Sequence, residues 1–201
     1  MPELPSVRRL PVVMGSDHLA FHCNRCGACC KSLRVAVTHF DVLRLVQALG
    51  YRAAELVDWL PPSAVDMTDE PGTFFELPEG RRLMVLRQER GACRLLDDEQ
   101  RCGAYAARPL DCALFPFDLE RDEAGFPVRL SLLRLDGCSD ERGTPASLDE
   151  VAALDARRWH ELAQFQAHVA RWNRLVRHRR RFRRAAGGAA ELLQFLGLEN
   201  Q

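Results

Sequence analysis

The spacing of apolar residues changes along the chain, and each change predicts a different kind of element. In VTHFDVLRLVQALG, Val42, Leu45, Val46 and Leu49 recur at helical spacing. They predict a helix with Thr38 as N-cap, Asp41 at the third helical position and Gly50 as its stop. AAELVDWL, residues 53–60, predicts a second short helix halted by Pro61 and Pro62, with a loop over 61–72. From 73 to 135 the texture becomes that of strands: TFFELP, RRLMVLRQ and VRLSLLRL are short apolar segments between turn formers. ACRLLDDEQRCGAY, with its polar centre, predicts a hairpin that brings Cys93 and Cys102 together. The longest helical pattern covers 147–184, opening on a Ser147–Glu150 capping box and ending before Gly187 and Gly188. Its apolar stripe is Leu162, Phe165, Val169, Trp172, Leu175 and Val176. AAELLQFLGL, 189–198, predicts a final short helix. Residues 1–20, interrupted by Pro2, Pro5 and Pro11, read as an irregular lead-in.

Composition narrows the class. The chain has 201 residues, 47% of them apolar, which suits one core with an appendage and excludes disorder of the whole chain. No segment is long and apolar enough for a signal-peptide core or a membrane span. The expectation is a soluble, cytoplasmic protein with no membrane partner. Disulfides are rare in that compartment, so clustered cysteines there point to metal binding or catalysis.

Eight cysteines form two groups. The first is Cys23, Cys26, Cys29 and Cys30; the second is Cys93, Cys102, Cys112 and Cys138. Two intervening residues let a tight turn aim both sulfurs at one ion, and Gly27 permits the sharp backbone path. The adjacent pair is harder to place. In extended chain Cys29 and Cys30 point opposite ways, so they more easily serve two metals, or one metal and a structural contact, than one ion together. Cys30, for that reason, and Cys138, alone 26 residues past Cys112, are the least secure ligands. Eight thiols allow two four-thiolate sites or one polynuclear centre. Thiolates select zinc or iron–sulfur chemistry over magnesium or calcium. The bacterial ferredoxin spacing is not met, because the fourth cysteine follows at once and Lys31 comes next. The fold class expected is α+β: a small cysteine-rich metal-binding domain over 21–140, with short strands, and a helical C-terminal region over 147–201 packed on it.

Arg25, Lys31, Arg94 and Arg101 each lie within two residues of a cysteine, and Arg108 lies four before Cys112. They either offset thiolate charge and donate hydrogen bonds to sulfur or reflect the abundance of arginine, since Lys31 is the one lysine of the chain. Pro109 fixes its own backbone and pushes Arg108 toward extended geometry, and Pro116 does the same for Phe115. Tyr105 and Phe115 either cover the metal or belong to ordinary core. His22, next to Cys23, reads as facing solvent or backing the site and not as a ligand; His18 and His39 carry weaker signals. Motifs for hydrolytic nucleophiles and Gly-rich phosphate loops are absent.

The order CxxCxxCC, a later cysteine, then CxxYxxRPxxCxxFP resembles the YkgJ-type cysteine-cluster proteins, a zinc- or iron-chelating domain. Here it reads Cys23, Cys26, Cys29, Cys30, then Cys93, then Cys102, Tyr105, Arg108, Pro109, Cys112, Phe115 and Pro116, within about residues 21 to 138. The family commonly has arginine after the cysteine that follows its RP motif; this chain has Ala113, which would leave Arg108 to balance more charge. The resemblance implies chelation of zinc or iron, an iron–sulfur cluster included. The same cluster in flagellin lysine methylases implies that enzymatic use is within the family's range. An iron–sulfur-dependent redox or protein-modifying enzyme is therefore one alternative to a plain metal-binding protein, and a protein partner stays open.

A second alternative comes from charge. The chain carries 28 basic and 28 acidic residues, yet 156–184 holds ten arginines against Glu161. Arg177, Arg179, Arg180, Arg181, Arg183 and Arg184 are the densest part, with Trp159 and Trp172 nearby. They suit a nucleic-acid binder with structural zinc. The apolar stripe on the same helix favours docking against the acidic remainder of the chain, so nucleic acid is the weaker of the two readings.

Overall fold

A computed structural model describes residues 8–11, 18–19, 21–65, 72–121, 127–138, 140–141, 146–182 and 187–199. In chain order the elements are β1 (Arg8–Pro11), β2 (His18–Leu19), β3 (His22–Cys23), α1 (Ala28–Ser32), α2 (His39–Leu49) and α3 (Ala53–Leu56). Next come β4 (Val57–Leu60), β5 (Phe75–Leu77), β6 (Gly80–Leu86), β7 (Gln88–Glu89), β8 (Ala92–Cys93) and α4 (Leu110–Leu114). The last are β9 (Phe117–Arg121), β10 (Pro127–Arg134), β11 (Asp140–Glu141), β12 (Ala146–Ser147), α5 (Leu148–Arg181) and α6 (Ala189–Phe195). The fold is α+β.

Local signals set several elements. On α2, Thr38 Oγ1 accepts from the Asp41 N–H at 3.2 Å, and Asp41 accepts from the Thr38 N–H at 2.8 Å. Gly50 closes the helix at φ 72°, a conformation that costs glycine little. The three strand segments expected between 73 and 135 are β5, β6 and β10. The segment 53–60 differs from expectation. Only Ala53–Leu56 is helical, and Val57–Leu60 becomes β4, pairing antiparallel with β6 from Val57–Leu86 to Leu60–Leu83. Sheet pairing overrides the helical preference of the sequence there. The first twenty residues also differ. β1 pairs with β10 as an outer strand, with Pro11 at its end where no ladder donor is needed, and β2 pairs with β12.

The core gathers Val42, Leu45 and Val46 of α2, Phe75, Leu77 and Met84 of the central sheet, and Leu162, Phe165, Val169, Trp172 and Val176 of α5. Leu192 and Leu193 of α6 join the same cluster. Leu175, expected in the stripe of α5, is 42% exposed instead; the 3.6-residue period carries it past the buried face. In the sheet β4-β6-β5, β5 is an outer strand. Asn173 accepts from the Glu76 N–H at 2.7 Å and donates to the Phe74 carbonyl at 2.9 Å, while Trp172 donates to the Glu76 carbonyl at 2.9 Å. A buried polar set ties the helices together. Asp41 accepts from the Leu110 N–H at 3.0 Å, and Arg44 bridges Asp41 to Glu161 of α5. This fixes the start of α4, and with it Cys112, against α2 and α5.

Candidate metal centre

Each half of the thiol set is built by local backbone devices. Between Cys23 and Cys26, Asn24 Oδ1 accepts from the Cys26 N–H at 3.1 Å, and Arg25 takes a positive φ of 61°. The chain thereby doubles back within the Cys-x2-Cys turn. Gly27 follows at φ 73° and precedes α1. A Cβ there would lie 2.3 Å from the Gln100 carbonyl oxygen and 2.8 Å from Leu96 Cδ1. Only glycine lets the first half press against the loop of the second. The expected hairpin is shorter than the sequence suggests: Leu96 bridges to Cys102 and the Asp97 N–H donates to the Arg101 carbonyl at 2.8 Å, while Cys93 pairs with Gln88 of β7.

The eight cysteines line one cavity of about 50 Å³, shared with Tyr105, Arg108, Pro109 and Phe115. Among the described residues lining it there is no Asp, Glu or His. All eight are half-buried free thiols. Cys30 stands at the centre, in hydrogen-bond contact with Cys102, Cys29 and Cys93. The extended-chain argument against Cys30 does not hold here, because residues 28–32 are helical and adjacent side chains diverge by about 100°. Cys138 contacts Cys26 and lies near Cys29 and Cys23. The β3–β11 pairing, with Cys23 opposite Asp140, brings it there. Cys112 neighbours Cys29, Cys93 and Cys102.

Electrostatics divides the set. The hydrogen bond from Cys30 is the main cause that brings Cys102 down to about 6 and Cys29 to about 7. At Cys102 the Ala104 N–H and the charges of Arg108 and Arg25 act in the same direction. Cys93 is also lowered, first by Cys30. Cys30 itself is pushed up, first by its hydrogen-bond contact with Cys102 and then by those with Cys29 and Cys93. Burial raises Cys112, reinforced by the charge of Cys29 and Cys93. Burial and then Cys26 push Cys138 up to about 12.

Of the basic residues near the cysteines, two face the site. The guanidinium carbons of Arg25 and Arg108 lie 3.9 and 4.2 Å from the Tyr105 ring centroid. Arg108 is extended at φ −55° and ψ 147°, as the following Pro109 requires. Arg94 turns away to the Glu55 carbonyl and the Glu89 carboxylate, Arg101 pairs with Asp97 and Glu99, and Lys31 is exposed. The side chain of His22 lies outside the described residues. Asp41, whose hydrogen bond positions α4, carries no sequence signal beyond its cap role.

The donor set fits zinc or iron: soft sulfur, no oxygen ligand, and arginines that offset thiolate charge. The thiols are gathered without yet forming a coordination shell; among the described residues no group of three or more His, Cys, Asp and Glu is arranged to hold an ion as it stands.

The arginine-rich end of α5 lies elsewhere. Arg180 donates to Glu76 at 3.2 Å and to the Leu77 carbonyl at 3.1 Å, Arg177 stands 4.0 Å from Glu76, and Arg179 pairs with Glu191. Arg181 is exposed; Arg183 and Arg184 lie outside the described residues. Among the described residues no helix is long and apolar enough to cross a membrane.

No curated protein and no solved structure matches the chain. A family match covers residues 22–128, more than half of its length, and ends before Cys138. With that match and eight thiols around one cavity, the chain belongs to the CxxCxxCC family, whose description is "Putative zinc- or iron-chelating domain".

Proposed function

We propose that this protein binds zinc or iron through the two-part cysteine constellation, with Cys29, Cys30, Cys93 and Cys102 as a four-thiolate core. Cys23, Cys26 and Cys138 form an adjoining group, and Cys112 backs the core. The observation that carries this is the central place of Cys30, whose contacts join one cysteine pair from each half of the sequence. Cys29 neighbours both groups, which supports a polynuclear centre, an iron–sulfur cluster included, over two separate ions. Tyr105, Arg108 and Pro109 act around the ligands: the proline sets Arg108, and Arg108 with Arg25 offsets charge beside Cys102. When bound, the metal supplies a folding staple and, if it is iron, redox capacity. The engagement of Arg177, Arg179 and Arg180 with Glu76 and Glu191 favours docking of α5 on its own chain over phosphate binding. A reducing, cytoplasmic setting suits eight free thiols.

Anaerobic purification with metal analysis and an absorption spectrum tests this. Bands near ~400 nm with bound iron identify a cluster, and colourless protein with bound zinc identifies the d¹⁰ ion. Removal of the metal by a chelator is expected to expose residues 21–32 and 93–112 to protease. Protein that carries no transition metal after oxygen-free handling would overturn the proposal.

A further inference from the structure

A second cavity, of about 300 Å³, adjoins the thiol cluster. Its floor is shared with the first: Cys29, Cys30, Cys93 and Cys112 line both, as do Leu86 and Phe115. Its own walls are Leu33, Val35 and Ala36, with Gln88, Arg34, Asp111 and Arg158 around them. Ligand pockets begin at about this volume and are mostly apolar with a few placed polar groups. Structural zinc sites, by contrast, close on their metal. Here one face of the sulfur set borders a ligand-sized space.

The polar groups differ in what they still offer. Gln88 donates to the Leu33 carbonyl at 3.0 Å, and Arg158 is paired with Asp111. Arg34 is exposed, and among the described residues it meets no carboxylate. A cation at an apolar mouth matches an amphiphile whose anionic head stays outside while its body enters. We propose that this cavity binds a small organic carboxylate, its apolar body against Leu33, Val35 and Phe115 and its carboxylate at Arg34, next to the metal centre. The adjacency to metal rests on reading the cysteines as ligands; the cavity and its cation do not.

The test uses the full chain, loaded anaerobically, with metal content measured on every sample. Octanoate, 1-octanol and octylamine are titrated by calorimetry. Octanoate is expected to bind saturably, and octylamine about tenfold more weakly. Arg34→Ala should weaken octanoate by about threefold, the scale of an exposed ion pair, and leave 1-octanol unchanged. Leu33→Trp, which fills the cavity from its rim, should abolish binding of all three at full metal content. Arg34→Ala, at an exposed position, keeps the test valid if the larger side chain disturbs folding. In cobalt-loaded protein, octanoate should shift the sulfur-to-cobalt charge-transfer bands. Metal-loaded protein that binds no octanoate overturns the proposal, as does equal binding of all three compounds or binding indifferent to Leu33→Trp. Protein that binds octanoate without retaining metal overturns the metal reading and leaves the cavity assigned.

Discussion

The two thiol groups occupy one cavity but are prepared differently. Around Cys30, hydrogen bonding from that thiol lowers Cys29, Cys93 and Cys102, and the charges of Arg25 and Arg108 act on Cys102. Around Cys138, burial and the neighbouring Cys26 hold a proton on until about 12. The first group comes from a one-turn helix and a tight hairpin, both locally determined. The second depends on a two-residue ladder between β3 and β11, far apart in sequence. Metal must displace protons from thiols, and Cys29, Cys93 and Cys102, the neighbours of Cys30, are the ones whose thiolates are favoured.

The largest expected effect separates these groups directly. Cys30→Ser should weaken metal binding by more than about 100-fold, beyond what loss of an outer partner costs. Cys138→Ser should cost about tenfold or less, both read by competition with a chromogenic chelator. Equal losses would mean that the eight sulfurs act as one indivisible centre. Next in size is Gly27→Ala, which places a side chain at φ 73° and drives it into the Gln100 carbonyl. A loss of about 2–4 kcal/mol in denaturant unfolding of the loaded protein is expected. Gly50→Ala, at a similar φ but with nothing within 4 Å, should cost about 1 kcal/mol. Equal costs would show that the contact between the halves contributes nothing. The smallest effect belongs to Arg108→Met, which removes a charge that lowers Cys102. Protons then compete better for that sulfur, so metal should be released at a higher pH, with affinity down about threefold. A release profile that stays in place would remove Arg108 from the site.

Local features of this chain were legible in sequence. Thr38, Asp41 and Gly50 act within one helix, and the polar DDEQ centre marks its own hairpin, so both elements follow from neighbours in the chain. What depends on partners was not legible. Val57–Leu60 reads as helix until β6 is beside it. The doubt over Cys30 came from assuming extended backbone at a position that is helical. Nothing near Cys138 in sequence announces its approach to Cys26, which the β3–β11 ladder creates, and the hydrogen bond from Leu110 to Asp41 spans 69 residues. Of the basic residues near cysteines, geometry selects Arg25 and Arg108, because the rest find carboxylates, carbonyls or solvent in other directions.

Asn173 and Trp172 meet the outer side of β5 with the same donors and acceptors a neighbouring strand would offer. An uncovered strand margin is a template for another chain. The long C-terminal helix is thus a guard against self-association as well as a packing element. A nascent or clipped chain that lacks it would present Glu76 and Phe74 to its own copies, together with the core side chains that the helix covers.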